Sequence, residues 1–493
     1  MPVNAKSKKY SRFLEQWQRC RDVLSGQDAI HAAGTKYLPM LKEQSQEEYL
    51  AYVKRTTFYN ATFRTVAGLR GMLLEKEPVI EVAESVRSML EDVTLSGSSF
   101  LLFLTEVIYQ VLGISRAGIL VDYPEVSENY VPTQADARRL KLQPMMQLYR
   151  AESIINWRCG YVGAIYTLTM VVLEETELTA KDEFEYEERT VYRVLDLPNG
   201  VYRVRKFYID PVSKKDVQIG DDLFPKMGNQ SLGYIPFTFI GPDGAQPEPE
   251  EPQLIDLVDL NLSHYRTVAD REHGAHFCGL PTPWVAGYTA TTGPDGTPEK
   301  LYIGSSKAWI FPDPNAKAGY LEFTGQGLSA LAELQKDKEK QMAILGARML
   351  EEQTRAKESP ESQQIKRKGE ESMLAATADS ISEVMTLVMR WFSAWAGADP
   401  NQASVKINKE FYLTGMAPAM LQALVGGWQN GAYSDQVLFY NLQRGEVIPA
   451  DLTLEKMQEQ INSAPPKFAP MLPGFPAAPV KEDDTPDDDP QDQ

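Results

Sequence analysis

Glu351-Glu-Gln-Thr-Arg-Ala-Lys-Glu-Ser-Pro-Glu361 separates two long helical patterns, and apart from Pro360 it holds no apolar residue larger than alanine. A segment so charged has nothing with which to anchor itself in a core. On its N-terminal side, Leu328, Leu331, Leu334, Met342, Leu345 and Met349 mark a helix over about 328–349 with a charged middle, Lys336-Asp-Lys-Glu-Lys340. On its C-terminal side, Leu374, Ile381, Met385, Val388, Phe392 and Trp395 recur at intervals of 7, 4, 3, 4 and 3, a heptad-like stripe. Upstream, Leu254, Leu257, Asn261, Tyr265 and Val268 share one stripe of another helix, which Gly279-Leu-Pro-Thr-Pro283 ends. Between them, residues 284–324 read as short strands around the turn Gly293-Pro294-Asp295-Gly296, with Trp309 and Phe311 as anchors. Long helices flanking a solvated loop, with no catalytic motif, indicate a mechanical part rather than an active site.

The chain has 493 residues and 43% hydrophobic content, enough for two or three domains with a substantial core. Its net charge of −18 argues against a protein that coats nucleic acid. The same charge is compatible with letting DNA pass without sticking. Lys481 to Gln493 carries seven acids and one lysine, too polar and self-repelling a block to fold. Cys20, Cys159 and Cys278 are odd in number and widely spaced, which argues against a disulfide framework and for a reducing compartment. No apolar run follows the N-terminal Met-Pro-Val-Asn-Ala-Lys, and the longest apolar stretch, Phe100 to Ile114, is broken by Glu106. The expectation is a soluble cytoplasmic protein with no signal peptide and no membrane partner.

The first ~120 residues read as helical by periodicity: Phe13, Trp17, Cys20 and Val23 in one helix, Tyr49, Tyr52 and Val53 in the next, then helices near 61–74 and 100–113. Gly118 to Asp122 reads as a strand. From Gln147 to about Gly241 the period becomes two, through Ile165–Leu173, Thr190–Leu195, Val201–Tyr208 and Tyr234–Ile240, with Pro198-Asn-Gly200 as a turn. These predict one antiparallel sheet domain, followed by an exposed linker over 241–252. Towards the end, Val405–Tyr412 reads as a strand and Ala417–Asn430, Ser434–Leu442 and Leu452–Ile461 as helices. The fold class is α+β.

Three motifs bear on chemistry. Gly325-Gln-Gly-Leu-Ser-Ala330 fits a dinucleotide fingerprint, but that site needs a βαβ unit, and here one helix gives way to a loop and another helix. A nucleotide-dependent enzyme built on this turn is the alternative reading. His273, His276 and Cys278 resemble metal ligands, yet no second ligand cluster completes a structural zinc site. There is no phosphate-binding loop, nucleophile elbow or HExxH, so neither enzyme activity nor a cofactor is expected. More telling is residues 336–368, with nine bases against six acids: Lys336, Lys338, Lys340, Arg348, Arg355, Lys357, Lys366, Arg367 and Lys368. They form either a solvated face with ion pairs such as Asp337 with Lys340, or a set of sequence-independent phosphate contacts.

The order of these parts resembles the portal proteins of tailed bacteriophages, over most of residues 10–460. Tyr149 to Trp157 is similar to the segment before the wing sheet, and Leu254 to Phe277 with Gly279-Leu-Pro-Thr-Pro283 to the first stem helix entering the clip. Thr324-Gly-Gln-Gly-Leu328 is similar to the return into the second stem helix. Gly431-Ala-Tyr-Ser434 and Leu442 to Pro449 are similar to crown helices. The resemblance implies a portal-like layout: wing over 1–250, stem helix over 252–278, clip over 279–324, second stem helix over 325–350, tunnel loop over 351–361. A long wing helix over 362–397, a crown over 398–464 and a disordered acidic tail over 465–493 would follow. It implies a homo-oligomeric ring of about twelve at one capsid vertex, assembled in the host cytoplasm and carried in the virion. DNA would enter and leave through it without sequence specificity. The implied partners are the terminase large subunit, a head-completion or adaptor protein, and the major capsid or scaffold protein. Arg348, Arg355, Lys357, Lys366, Arg367 and Lys368 would face the channel, and Gly293 to Gly296 the terminase.

Overall fold

The computed structural model describes residues 2–124, 142–228, 230–279, 282–287, 311, 313–321, 325–346, 360–409, 418–444, 447–448 and 452–463. They form an α+β protein with two compact units, Met1–Phe411 and Tyr412–Gln493.

The first unit opens with helices whose caps are written in the sequence. α1 (Lys8–Ser25) starts at Ser7, whose hydroxyl accepts from the Lys9 amide, and buries Tyr10, Trp17, Cys20 and Val23. The short α2 (Gln27–Ala33) follows. α3 (Gln46–Arg55) carries a full capping box, Ser45 with Glu48, and buries Tyr49, Tyr52 and Val53. Asn60 caps α4 (Ala61–Leu73). After β1 (Val79–Glu81) and the single-turn α5 (Glu84–Arg87), Ser99 caps α6 (Phe100–Ile114), the most apolar helix, with ten of its fifteen residues buried. It sits in the core beside α1 and α4. Among the described residues no helix is long and apolar enough to cross a membrane.

The strands divide into two main sheets rather than the single one expected. β4 (Ile154–Val162), β5 (Ile165–Ala180), β6 (Tyr186–Asp196), β7 (Arg203–Ile209) and β8 (Asp216–Leu223) make an antiparallel meander. Its β6–β7 turn places Asn199 and Gly200 at φ 55° and 76°, a left-handed pair that suits Asn-Gly. β9 (Lys226–Met227) and β10 (Gln230–Ser231) form a small ribbon. β2 (Ala117–Asp122), β3 (Met145–Arg150) and β11 (Phe237–Ile240) form the second sheet, in the order β11-β2-β3. Residues 234–240 therefore leave the meander and pair with β2, because Phe237 and Phe239 bury their rings there. A Cβ on Gly118 would lie 2.3 Å from the Phe237 ring, so only glycine fits this strand position. Arg193 of β6 ties the sheets together, donating to Asp122 of β2 at 3.0 Å while pairing with Glu175 at 2.9 Å. The 241–252 stretch is less exposed than its composition suggests. Pro242, Pro249 and Pro252 are buried, and Arg116 donates to the Pro247 carbonyl at 2.9 Å.

The N-terminus crosses the meander. The Val3 amide donates to Asp216 of β8, Asn156 of β4 donates to the Ala5 carbonyl, and the Ser7 amide donates to the Ile155 carbonyl.

Three helices and a ribbon follow. α7 (Ile255–Gly279) leads to β12 (Thr282–Ala286), which pairs antiparallel with β13 (Lys317–Leu321), and α8 (Gln326–Leu345) returns along α7. α9 (Pro360–Trp395) is 36 residues long and starts on Pro360, inside the stretch expected to be loop. β14 (Ser404–Lys406) pairs with β1, and it is far shorter than the expected 405–412 strand. Its other edge bonds to side chains of α9: the Val405 amide donates to the Thr386 hydroxyl at 3.0 Å and the Ile407 amide to the Ser382 hydroxyl at 3.0 Å.

The second unit contains α10 (Pro418–Gln429), α11 (Asp435–Arg444) and α12 (Leu454–Ser463). The Trp428 indole donates to Asp435 at 2.7 Å, and the Tyr433 hydroxyl donates to the Leu424 carbonyl, holding α10 and α11 together.

Candidate functional site

The α7–α8 pair is built in layers. Nearest the body, Leu257 of α7 and Met342 of α8 close on Ala61 of α4. One turn further, Asn261 is fully buried. Its Oδ1 accepts from the Thr62 amide at 3.2 Å and hydroxyl at 3.0 Å, and its Nδ2 donates to the Tyr59 carbonyl at 2.7 Å. The polar residue in an apolar stripe thus locks α7 to the α4 N-terminus. Tyr265 is buried edge-on to Phe58, with ring centroids 5.7 Å apart. On the α8 side the seam turns polar. Lys338 donates to the Ser263 carbonyl at 3.1 Å and the Thr267 hydroxyl at 2.6 Å, while the buried His264 meets Glu339 at 3.3 Å. Burial pulls the His264 pKa down against the raising pull of Glu339. Burial, and then Arg266, lowers that of Lys338. At the far end a Cβ on Gly274 would lie 2.9 Å from Leu328, so the helices nearly touch there.

Beyond that end the β12–β13 ribbon carries Trp284 across Gly319, and Trp284 and Tyr320 are both exposed. Along α8, the face turned from α7 is also open: Gly327, Ala330, Leu334, Asp337, Gln341 and Ile344, at intervals of 3, 4, 3, 4 and 3, are all exposed. Ile344 is 62% and Leu334 47% exposed. Four of these six positions are small or apolar and two, Asp337 and Gln341, are polar, a mixed heptad-spaced surface of the kind that packs against another helix.

The stripe of α9 has a different role. Leu374, Ile381, Met385, Val388 and Phe392 are buried together with Ala378, Val384 and Met389, and the helix packs on β2, β11 and β14. Trp391 stacks on Tyr234 and Trp395 on Tyr123, each at 5.8 Å. The heptad-like pattern is an intramolecular core face, wider than a coiled-coil seam.

Arg348, Arg355 and Lys357 lie outside the described residues, as do Gly293, Pro294, Asp295 and Gly296. Lys366, Arg367 and Lys368 fall on α9, with side chains outside the description. His273 and His276 lie on α7 and Cys278 at its end; among the described residues, no group of three or more His, Cys, Asp or Glu stands ready to hold a metal. Gly325 takes the left-handed conformation before α8. However, the strand before it, β13, belongs to an antiparallel ribbon, so the fingerprint lacks the parallel βαβ setting that dinucleotides require. Lys338 and Glu339 belong to the charged helix middle read from the sequence, but their meeting with His264, Ser263 and Thr267 was not legible there.

A family model described as a domain of unknown function (DUF4055) matches residues 253–396, the span from α7 through α9. No curated protein matches the chain. It is similar to a solved chain described as "Neck of empty GTA particle computed with C6 symmetry", at a TM-score of 0.36 and 10% identity, over 85% of this chain and 94% of that one. It is also similar to one described as "Neck of native GTA particle computed with C12 symmetry", at a TM-score of 0.33 and 12% identity, over 78% and 89%.

Proposed function

We propose that the chain is a non-enzymatic portal subunit: a ring component lining the DNA channel at one vertex of a phage-like capsid. In this reading α7 and α8 are the stem and the β12–β13 ribbon belongs to the clip. The charged segment ahead of α9, which lies outside the described residues, would face the DNA. The observation that carries the reading is the exposed heptad-spaced stripe on α8, on a two-helix projection with a ribbon at its tip. A single subunit leaves that stripe in water, and head-to-tail contacts that close produce a ring. The acidity of the chain supports a conduit, since a strongly basic channel would hold the duplex. Terminase, an adaptor and a capsid or scaffold protein are the proposed partners. Negative-stain imaging and native mass spectrometry of the full chain at micromolar concentration test the proposal. The expected result is a closed ring of about twelve copies; monomers or dimers alone would sink it. Arg355→Ala with Lys357→Ala is expected to leave rings intact while changing DNA packaging or retention.

A further inference from the structure

The strands of the meander are strongly staggered. β5 pairs with β4 only as far as Leu173, and β6 pairs with β7 only from Tyr192 onward. Thr176–Ala180 and Tyr186–Thr190 therefore pair with each other alone and stand out from the sheet as a two-stranded arm. A ribbon of that kind is marginal in water by itself. Its two edges carry no named strand partner among the described residues. It also exposes apolar surface: Leu178 is 64%, Tyr186 62% and Phe184 86% exposed. Its remaining chemistry is acidic. Glu177, Asp182, Glu183, Glu185, Glu187 and Glu188 stand against Lys181 and Arg189.

The opposite surface exists on the same chain. Residues 1–14 hold Lys6, Lys8, Lys9 and Arg12 and no acid, in a protein of net charge −18. Lys6, Lys8 and Arg12 are exposed, with Lys6 over the Tyr10 ring and Arg12 over the Phe13 ring. The arm of the same subunit leads away from this region. Asn4 meets Tyr192 where β6 is covered, and Tyr186 is six residues further along the strand, roughly 20 Å away.

We propose that the β5–β6 arm docks on the N-terminal segment and α1 of a second copy of this chain. The acids meet Lys6, Lys8 and Arg12, and Leu178, Phe184 and Tyr186 lose their water. Charge sets the approach and register; the apolar tip supplies most of the affinity, because exposed ion pairs contribute little. Two different patches are joined, so the contact is head-to-tail and chains onward from copy to copy. The proposal rests on the reading that copies of this chain assemble.

Mixing light- and heavy-nitrogen copies of the full chain, then coupling with a carbodiimide, tests it. Cross-linked peptides joining Lys6 or Lys8 to Glu183, Glu185 or Glu187 should contain one light and one heavy partner. Glu183→Lys with Glu187→Lys should raise the concentration for half-assembly at least tenfold, and adding Lys8→Glu with Arg12→Glu should restore it. Rings that form normally in the charge-reversed arm variant, or without mixed cross-links there, would overturn the arm contact and leave the ring reading standing. A chain that stays monomeric would overturn both. Unchanged circular dichroism of each variant separates lost docking from lost folding.

Discussion

Arg116 is 3% exposed, yet its guanidinium lies between the faces of Trp157 and Phe239, 4.7 and 4.3 Å from the ring centroids. Burial pulls its pKa down to about 9, and it remains a cation at neutral pH. Its guanidinium donates to the Pro247 carbonyl, which explains why a proline- and glutamate-rich stretch lies against the body. Lysine cannot stack in this slot. Arg116→Lys should therefore cost about 1–3 kcal/mol of stability, whereas Arg116→Met, which fills the slot without a buried charge, should cost less. Thermal melting of the two variants checks the order, and a lysine variant more stable than the methionine one would contradict it. Asn261→Leu is expected to be worse than its similar volume implies. The Thr62 donors and the Tyr59 carbonyl would be stranded at about 2–4 kcal/mol, visible as a lower denaturation midpoint. Neither role was legible from composition. Asn261 was visible as a member of the stripe, but its partners sit about 200 residues upstream.

The helices were legible as elements because each carries its own signals. Ser7, Ser45, Asn60 and Ser99 cap four of them, and the buried residues recur at helical spacing. The strands were less so. β8 reads Asp-Val-Gln-Ile-Gly-Asp-Asp-Leu, too polar to stand out, and the departure of β11 to the other sheet depends on Phe237 meeting β2. The spacing on α9 showed a buried face without showing what covers it. The N-terminal crossing of the meander was equally invisible, since its bonds are mostly to backbone. Deleting residues 1–6 should loosen β4 and β8 together, seen as faster amide exchange in both strands, while α9 keeps its protection. The helix pair should also respond to acid. The unfolded His264 takes up a proton near its ordinary pKa of about 6.5, whereas burial delays that step in the fold. The unfolded state then binds more protons, so this contribution is complete above the ordinary pKa and falls as pH drops below it. His264→Asn should flatten that part of the stability-versus-pH curve. Parallel curves for parent and variant between pH 7 and pH 5 would rule the effect out.

At the scale of the molecule, the α+β class and the succession of helix, ribbon, helix and long helix followed from sequence pattern, whereas the closure of the first unit did not. β1 is too short to announce itself, and β14, expected over 405–412, is cut to three residues that owe their place to β1 and to the hydroxyls of Thr386 and Ser382. The acidic C-terminal block adds charge but no apolar surface. If the proposed ring forms, a chain truncated after Ala464, which also loses the proline-rich 465–480 stretch, is expected to assemble like the parent, and native mass spectrometry would expose any loss. The β1–β14 pairing also sets a clock. Ser404 donates to Glu81 across a separation of 323 residues. During synthesis at ~5–20 residues per second, β1 therefore waits about 15–65 s for its partner. Through that interval the earlier helices and the meander can fold, but the edge at Val79–Glu81 stays open. A ribosome that stops early leaves a nascent chain whose last seam was never sewn, a mark by which an unfinished chain differs from a finished one.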